Sequence, residues 1–419
     1  MTQITAIDKN EVIKVVSSTL RLIDRRLVEH GERVAYIAYR IFECGGLSES
    51  MDWKQLFLLS AFHDIGAYKT DEIDKMVQFE STDVWSHSIY GYCFLKRMTP
   101  LGPYAEAILY HHLPYAQLLE KHSAYQEYAA LISFADRLDV LMLEHPDGYD
   151  FSALSEGNDG RFSPRYVELF LQANRQHSLQ KELRSGAFYP VVARLAYEID
   201  LSAQEALDYL KMLVYSIDFR SEYTVTHTIN TTAISVEIGR RIGLSQEELE
   251  KLYLGAFLHD IGKIAIPLEI LEFPGKLSAQ QMEIMRTHVS YTEAIIEGLV
   301  NEEIAQIAVR HHEKLDGSGY PHGLTGPELT VSQRIVAIAD IMSALTSTRS
   351  YKAVFSKEKT LRILQEMQRD GKLDFELCTL VILCFDEIMQ ATDVSRDPVI
   401  SLYRMISKEY DVLSMALNT

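Results

Sequence analysis

The sequence predicts an all-α protein built as two tandem helical domains, and three observations carry that prediction. Segments such as 32–43 (ERVAYIAYRIFE), 248–258 (ELEKLYLGAFL) and 359–368 (KTLRILQEMQ) repeat apolar residues at i, i+3 and i+4, the spacing that lines one face of a helix. Alternating Val/Ile/Tyr runs closed by Asn-Gly or Asp-Gly, the mark of hairpins, are scarce. The histidines fall in the same order twice along the chain.

In the first half that order is His30, His63-Asp64, His87, His111-His112 and then Asp136 in FADRLDVL. In the second half it is His227, His259-Asp260, His288, His311-His312 and then Asp340 in IADIMSAL. The surrounding words match too: AFHDIG at 61–66 parallels AFLHDIG at 256–262. Ten of the 14 histidines belong to this doubled order, which points to an internal duplication. A domain boundary is therefore expected near residue 205, giving domains 1–204 and 205–419. Two Gly-containing stretches, 145–164 and 314–330, read as loops or insertions.

Composition bounds the function. A chain of 419 residues has room for two or three domains at roughly 100–200 residues each. With 47% hydrophobic and 24% charged residues it is an ordinary globular sequence. The formal net charge of −18 argues against long nucleic acid, which needs a broad basic face. It leaves room for a small anionic ligand, because a metal ion overrides the local sign. The four cysteines, Cys44, Cys93, Cys378 and Cys384, form no CxxC pair, so a thiolate zinc site is not expected. The first residues lack a basic stretch followed by an apolar one, and no apolar run reaches the ~20 residues of a membrane span. A cytoplasmic protein without membrane attachment is expected.

A lone histidine on a helix is more often a packed side chain than a ligand. Five helices each contributing an imidazole or a carboxylate are different. That donor set suits Fe, Mn, Zn or similar divalent ions, and a shared carboxylate can bridge two of them ~3.5–4 Å apart. Metal binding brings the pKa of water toward neutrality, which is the usual route to a hydroxide nucleophile.

The constellation resembles the HD superfamily of metal-dependent phosphohydrolases. Residues 205–395 are closer still to its HD-GYP subfamily, on HDIGK (259–263), His288, HHEKLDGSGYPHGLTG (311–326), Asp340 and RSYK (349–352). The resemblance implies two divalent ions, Fe or Mn first and Zn, Ni or Mg as alternatives. His227, His259, Asp260 and Asp340 would hold one. Asp260 would bridge to the other, ligated by His288, His311 and His312. Lys263 would approach the reacting water or a phosphate oxygen, making Asp260 and Lys263 the catalytic pair. Arg349 and Lys352 would meet the remaining phosphate charge, and a loop holding Gly317, Gly319, Tyr320, Pro321 and Gly323 would border the substrate. The implied reaction cuts a 3′–5′ phosphodiester of a 3′,3′-cyclic dinucleotide, leaving a linear dinucleotide with a 5′-phosphate.

Two positions depart from the family pattern. Tyr223 stands where some members carry a glutamate for a third metal, which favours two ions here. Ser343 occupies the second acidic position of A-D-x-x-D, and is expected to loosen Lys263 or reshape the pocket.

The first half keeps every ligand-type position (His30, His63, Asp64, His87, His111, His112, Asp136) as a second metal-site candidate. It lacks the GYP loop and has Ala67 in place of the lysine. Three readings stay open for it: a decayed duplicate with hydrogen-bonded histidines, a metal-bound regulatory or cleft-completing domain, and an independent phosphohydrolase. An HD domain followed directly by an HD-GYP domain resembles the Vibrio 3′,3′-cyclic GMP-AMP phosphodiesterases, so cyclic GMP-AMP is favoured over cyclic di-GMP. A non-catalytic cyclic-dinucleotide receptor and a general HD nucleotide phosphohydrolase are the rivals, and a homodimer is left open.

Overall fold

The computed structural model describes residues 25–69, 85–156, 158–218, 222–271, 273, 275–347 and 355–417, together with a few positions between 12 and 19. Among the described residues there is no sheet, only an isolated bridge between Asp316 and Thr325. The all-α expectation holds.

The chain folds as two compact units. One runs Lys9–Ser216 and takes in Ile406–Thr419; the other is Ile217–Met405. The units divide between Ser216 and Ile217, where the sequence suggested a boundary near residue 205. The helix that starts there, Ala203–Asp218, buries Ala206, Leu210 and Leu213, and its Tyr209 ring packs 6.1 Å from Phe62. The last residues also leave the second domain. Glu409 pairs with Lys96 at 2.8 Å and with Arg97, while Tyr410 stacks on Tyr90 at 4.2 Å between centroids. Helix periodicity cannot reveal such long-range pairings.

Five helices place the first-domain ligands: α1 (Arg25–Gly45), α2 (Trp53–Ala61), α3 (Trp85–Met98), α4 (Glu106–Leu109) and α5 (Gln126–Glu144). Their buried faces carry Val34, Ile37, Ile41, Leu56, Leu59, Leu131, Phe134 and Leu138, and each such side chain contributes about 1.5–3 kcal/mol on burial. The second domain repeats the plan with α6 (Glu222–Arg241), α7 (Gln246–Leu258), α8 (His288–Ile296), α9 (Glu302–Val309) and α10 (Val331–Thr346). Capping boxes start two of these helices, Ser245 with Glu248 and Thr330 with Gln333, satisfying backbone N–H groups that a helix start leaves unpaired. Its core gathers Ile234, Ile238, Leu252, Ile307, Ile335, Ile338 and Met342 with Leu364, Leu377 and Val381 of α11 (Lys357–Arg369) and α12 (Phe375–Leu383). The helix α13 (Phe385–Leu417) follows. Of the two stretches read as loops, 145–164 holds one short helix, Ala153–Glu156, and 314–330 is irregular apart from the Asp316–Thr325 bridge and a single turn, Gly326–Glu328.

Candidate metal centre

Most of the ligand candidates stand at helix ends. His259 caps the C-terminus of α7, and His311-His312 follows α9. His288 opens α8. The carbonyls of a final helical turn lack intrahelical partners, and these histidines use them. The Nδ1–H of His259 donates to the Ala256 carbonyl at 2.7 Å, and His311 does the same to Ala308 at 2.6 Å. His288 donates to Met285 at 2.7 Å. A carbonyl can only accept, so Nδ1 holds the proton in all three and Nε2 keeps its lone pair.

Those Nε2 atoms converge on Asp260. Its Oδ2 lies 3.1 Å from His259 Nε2 and 3.3 Å from His227 Nε2. Its Oδ1 lies 3.4 Å from His288 Nε2 and 3.9 Å from His311 Nε2. The two carboxylate oxygens thus face two different imidazole groups. Asp340 Oδ1 is 3.1 Å from His227 Nε2, and its Oδ2 is 3.5 Å from His312 Nδ1. The structure brings together the whole expected ligand set. Donor atoms within 4.8 Å of one another group as His227, His259 and Asp260, and as His288, His311 and His312.

The donor chemistry fits divalent cations. Burial pushes His312 down to about 3 and His311 and His288 below the usual histidine range, so these rings are neutral, as a ligand must be. Burial would raise the Asp260 carboxyl, but His259 and Lys263 outweigh it and hold the group well below the usual carboxylate range. Buried His259 Nε2 and Asp260 Oδ1 have no hydrogen-bond partner. Each buried polar atom left so costs about 1–3 kcal/mol, and a cation between them removes that cost.

Lys263 lies on a 3₁₀ turn, Ile261–Ala265, and its ammonium pairs with Asp260 Oδ2. Gly262 on that turn is required by packing: a Cβ there would stand 2.0 Å from the His288 carbonyl oxygen. Ser343 is placed on His227. Its hydroxyl is 2.9 Å from His227 Nδ1 and 3.1 Å from the His227 carbonyl; it supports His227, and the partner of Lys263 is Asp260.

The glycine-rich loop wraps around Glu313, which is 1% exposed. Its carboxylate accepts from the backbone N–H of His322 at 2.7 Å and of Leu324 at 2.9 Å. Gly319 passes so close to this strut that a Cβ would stand 2.4 Å from the Glu313 Cα. The Tyr320 ring is thereby laid against His312, with centroids 4.6 Å apart. The Arg286 guanidinium stands 4.9 Å from the same ring. Arg349 and Lys352 lie outside the described residues, as does the Tyr223 side chain.

The first domain reproduces the arrangement. His63 and His111 donate Nδ1–H to the carbonyls of Ser60 and Ile108 at 2.7 and 2.6 Å. Asp64 Oδ2 faces His63 Nε2 at 3.3 Å and His30 Nε2 at 3.9 Å, while Oδ1 faces His87 Nε2 at 3.6 Å and His111 Nε2 at 3.9 Å. Asp136 lies 3.2 Å from His30 Nε2 and 3.9 Å from His112 Nδ1. Donor atoms group as Asp64, His87, His111 and His112, and as His30, His63 and Asp136. Buried His63 Nε2, His111 Nε2, Asp64 Oδ1 and Asp136 Oδ2 have no hydrogen-bond partner. Where the second domain has its loop, the first continues through Leu113 and Pro114 into a short helix, Tyr115–Glu120.

Two arginines stand at these centres without a mark in the sequence. Arg286 is an exposed arginine in an unremarkable helix. Arg137, which stands 3.3 Å from His112 Nδ1 and 3.8 Å from Asp136, follows an aspartate already singled out, and alignment of the two halves could have found it.

Comparison with known proteins agrees with this architecture. The HD-domain family matches twice, at residues 27–141 and 192–377. The chain is 30% identical over 379 residues to the 3′3′-cGAMP-specific phosphodiesterase 1 of Vibrio cholerae, covering 85% of this chain and 86% of that protein. It is 37% identical over 177 residues to a cyclic di-GMP phosphodiesterase response regulator of Xanthomonas campestris, covering 42% of this chain and 46% of the other. Among solved structures, a cyclic GMP-AMP phosphodiesterase of V. cholerae shares the fold, with a TM-score of 0.56 at 19% identity over 91% of this chain and 98% of that one. With two HD domains, the second bearing the GYP loop, and a relative matched along most of its length, the chain belongs to the HD-GYP family of phosphodiesterases.

Proposed function

We propose that the second-domain centre hydrolyses one 3′–5′ phosphodiester of a 3′,3′-cyclic dinucleotide, releasing a linear dinucleotide with a 5′-phosphate. The observation that carries this is Asp260, whose two oxygens face separate imidazole groups, with Lys263 on one oxygen. Divalent ions held there would supply Lewis acidity, making a water acidic enough to ionise near neutral pH and offsetting phosphoryl charge. A water oxygen forms the new bond to phosphorus, the bond to the 3′-oxygen breaks, and that oxygen leaves with a proton. Lys263 places a positive charge beside Asp260, where a phosphoryl oxygen gains charge in the transition state. Tyr320 and Arg286 offer a ring and a guanidinium at the rim, a pairing suited to a nucleobase or a phosphate. His227, His259, Asp260, Asp340, His288, His311 and His312 are read as the ligands, with Fe or Mn as first choice. Arg349 and Lys352 are read as phosphate contacts.

Cyclic GMP-AMP is favoured over cyclic di-GMP. The support is the extent of the match: the cGAMP-specific relative aligns through both domains, and the cyclic di-GMP relative over 42% of this chain. The first-domain cluster is read as a second divalent-ion centre. Its four buried atoms without a hydrogen-bond partner speak against histidines kept as mere hydrogen-bonding groups, since each would cost about 1–3 kcal/mol.

The test presents cyclic GMP-AMP, cyclic di-GMP and cyclic di-AMP side by side to the full chain with Mn²⁺ or Fe²⁺, and identifies the products. Linear 5′-phosphorylated dinucleotide from cyclic GMP-AMP is expected first. His259→Ala with Asp260→Ala abolishes it; turnover surviving that double change sinks the assignment. Binding without turnover in any metal favours a receptor, and turnover of mononucleotides alone favours a general phosphohydrolase.

A further inference from the structure

The two domains differ in how they hold the first histidine of each set, and the difference is a concerted exchange of two residues. In the first domain, His30 Nδ1 is 2.8 Å from Asp139 Oδ2, and the other oxygen of that fully buried carboxylate is 2.5 Å from Arg33 Nε. Arg33 stands three residues after His30, and Asp139 three after Asp136. At the matching places of the second domain, three after His227 and three after Asp340, stand Asn230 and Ser343. Both are buried, at 2% and 0% exposure. An ion pair in one domain is thus a neutral pair in the other. Exchanging one member alone would bury an unpaired charge, which is strongly destabilising.

The hydroxyl of Ser343 has one proton and two neighbours on His227. The carbonyl at 3.1 Å can only accept, so it takes the hydroxyl proton. The Ser343 oxygen then accepts from Nδ1–H at 2.9 Å. With Nδ1 carrying a proton, Nε2 is the atom that His227 turns toward Asp260 and Asp340 and that would coordinate an ion held there. Asp139 fixes the same tautomer in His30, but through a charged acceptor. A carboxylate behind an imidazole polarises the ring and strengthens the opposite nitrogen as a donor; a hydroxyl does so less. Arg33 cancels much of the long-range charge of Asp139, so the difference is carried by the hydrogen bond itself.

We propose that Ser343, with uncharged Asn230 where the first domain has Arg33, fixes the His227 tautomer while weakening Nε2 as a donor, so that the second-domain centre binds its ion less tightly than the first-domain centre, where Asp139 and Arg33 hold His30. This rests on the metal-binding reading of both clusters. Asn230 contributes by what it lacks: its amide donates to Ser347 at 3.0 Å and its Oδ1 has no partner, so nothing at this position supports a carboxylate at 343.

The experiment measures Mn²⁺ affinity in the full chain by chelator competition, one domain at a time. With the first-domain ligands removed (His63→Ala, Asp64→Ala), the paired exchange Asn230→Arg with Ser343→Asp tightens the second-domain centre by about 10- to 100-fold. Ser343→Thr, which keeps the hydroxyl, retains the starting affinity, and Ser343→Ala weakens it. With the second-domain ligands removed (His259→Ala, Asp260→Ala), the reverse exchange Arg33→Asn with Asp139→Ser weakens the first-domain centre by a similar factor. ¹⁵N shifts of His227 report Nδ1–H in the starting protein and a mixture in Ser343→Ala. Affinities indifferent to both exchanges and to Ser343→Ala overturn the inference. Should the arginine–aspartate exchange fail to fold, the reverse exchange and the Thr/Ala pair decide. Mn²⁺ binding that is absent even before any exchange defeats the metal-binding reading itself.

Discussion

The Tyr320 ring rests against the His312 imidazole, with centroids 4.6 Å apart and planes inclined by 33°. One loop residue thereby braces a ligand candidate from outside the helices that supply the rest. Such aromatic contacts contribute about 0.5–1.5 kcal/mol beyond area, and the Arg286 guanidinium adds a cation–π contact of about 0.5–1 kcal/mol at an exposed site. Tyr320→Ala is expected to lower kcat/KM about tenfold, a loss of about 1.4 kcal/mol of transition-state stabilisation. Arg286→Ala should act mainly on KM. Steady-state kinetics on both variants separate the two roles; an unchanged kcat/KM in Tyr320→Ala rejects the bracing.

Lys263 touches Asp260 and places a positive charge at the second-domain centre. Lys263→Met keeps the length of the side chain and removes the charge. Turnover should fall by about 10²- to 10³-fold, the range for losing one pre-placed electrostatic donor. Metal content by elemental analysis should stay at the starting level, because the seven ligand candidates are untouched. Loss of metal together with activity would show that Lys263 is structural.

The glycines of the two HDIG words are predicted to fail alike. A Cβ at Gly262 would meet the His288 carbonyl at 2.0 Å, and a Cβ at Gly66 would meet the His87 carbonyl at 2.0 Å. Gly66→Ala and Gly262→Ala should each destabilise by about 1–3 kcal/mol, the usual cost of overpacking, read as a lower thermal midpoint. A wild-type midpoint in either contradicts the close approach of the turn to the facing helix.

Glu313→Ala would remove the acceptor of two backbone N–H groups inside the loop. Hydrogen bonds to a charged group contribute about 1.5–3 kcal/mol, so the loop should loosen. Amide hydrogen exchange at His322 and Leu324 should accelerate, and KM should rise more than kcat falls. Unchanged exchange at both amides would dismiss Glu313 as the strut.

Chelation gives a sign as well as a size. An ion that binds the folded state alone stabilises it by about 2.7 kcal/mol when its concentration is 100 times the dissociation constant. Stripping the protein with a chelator should lower the thermal midpoint, and Mn²⁺ should restore it. A midpoint indifferent to both steps would contradict the fit of His259 and Asp260 to a cation.

Much of the candidate site could be read from the chain because its chemistry restricts residue types. Only imidazole and carboxylate serve at His227, His259, Asp260 and Asp340, so the pattern stands out even when the helices between differ. The fold class followed from periodicity for the same reason. What escaped reading depends on contacts between distant residues. Ser343 was seen as a departure, yet its partner is set by how α10 crosses α6 and puts the hydroxyl on His227, which no local word encodes. Arg286 looks like any exposed arginine until Tyr320 is placed beside it. The domain boundary moved because Tyr209 meets Phe62, a contact between segments far apart in sequence.

Residues Ile406–Thr419 belong to the unit that holds Lys9–Ser216. Glu409 and Tyr410 dock on α3, the helix that bears His87. On a ribosome, that unit is therefore completed only after residues 217–405 have been made. Through the synthesis of residues 217–405, Lys96, Arg97 and Tyr90 lack the contacts of Glu409 and Tyr410, which have yet to emerge. A nascent chain arrested before residue 406 would leave α3, the helix that bears His87, without Glu409 and Tyr410.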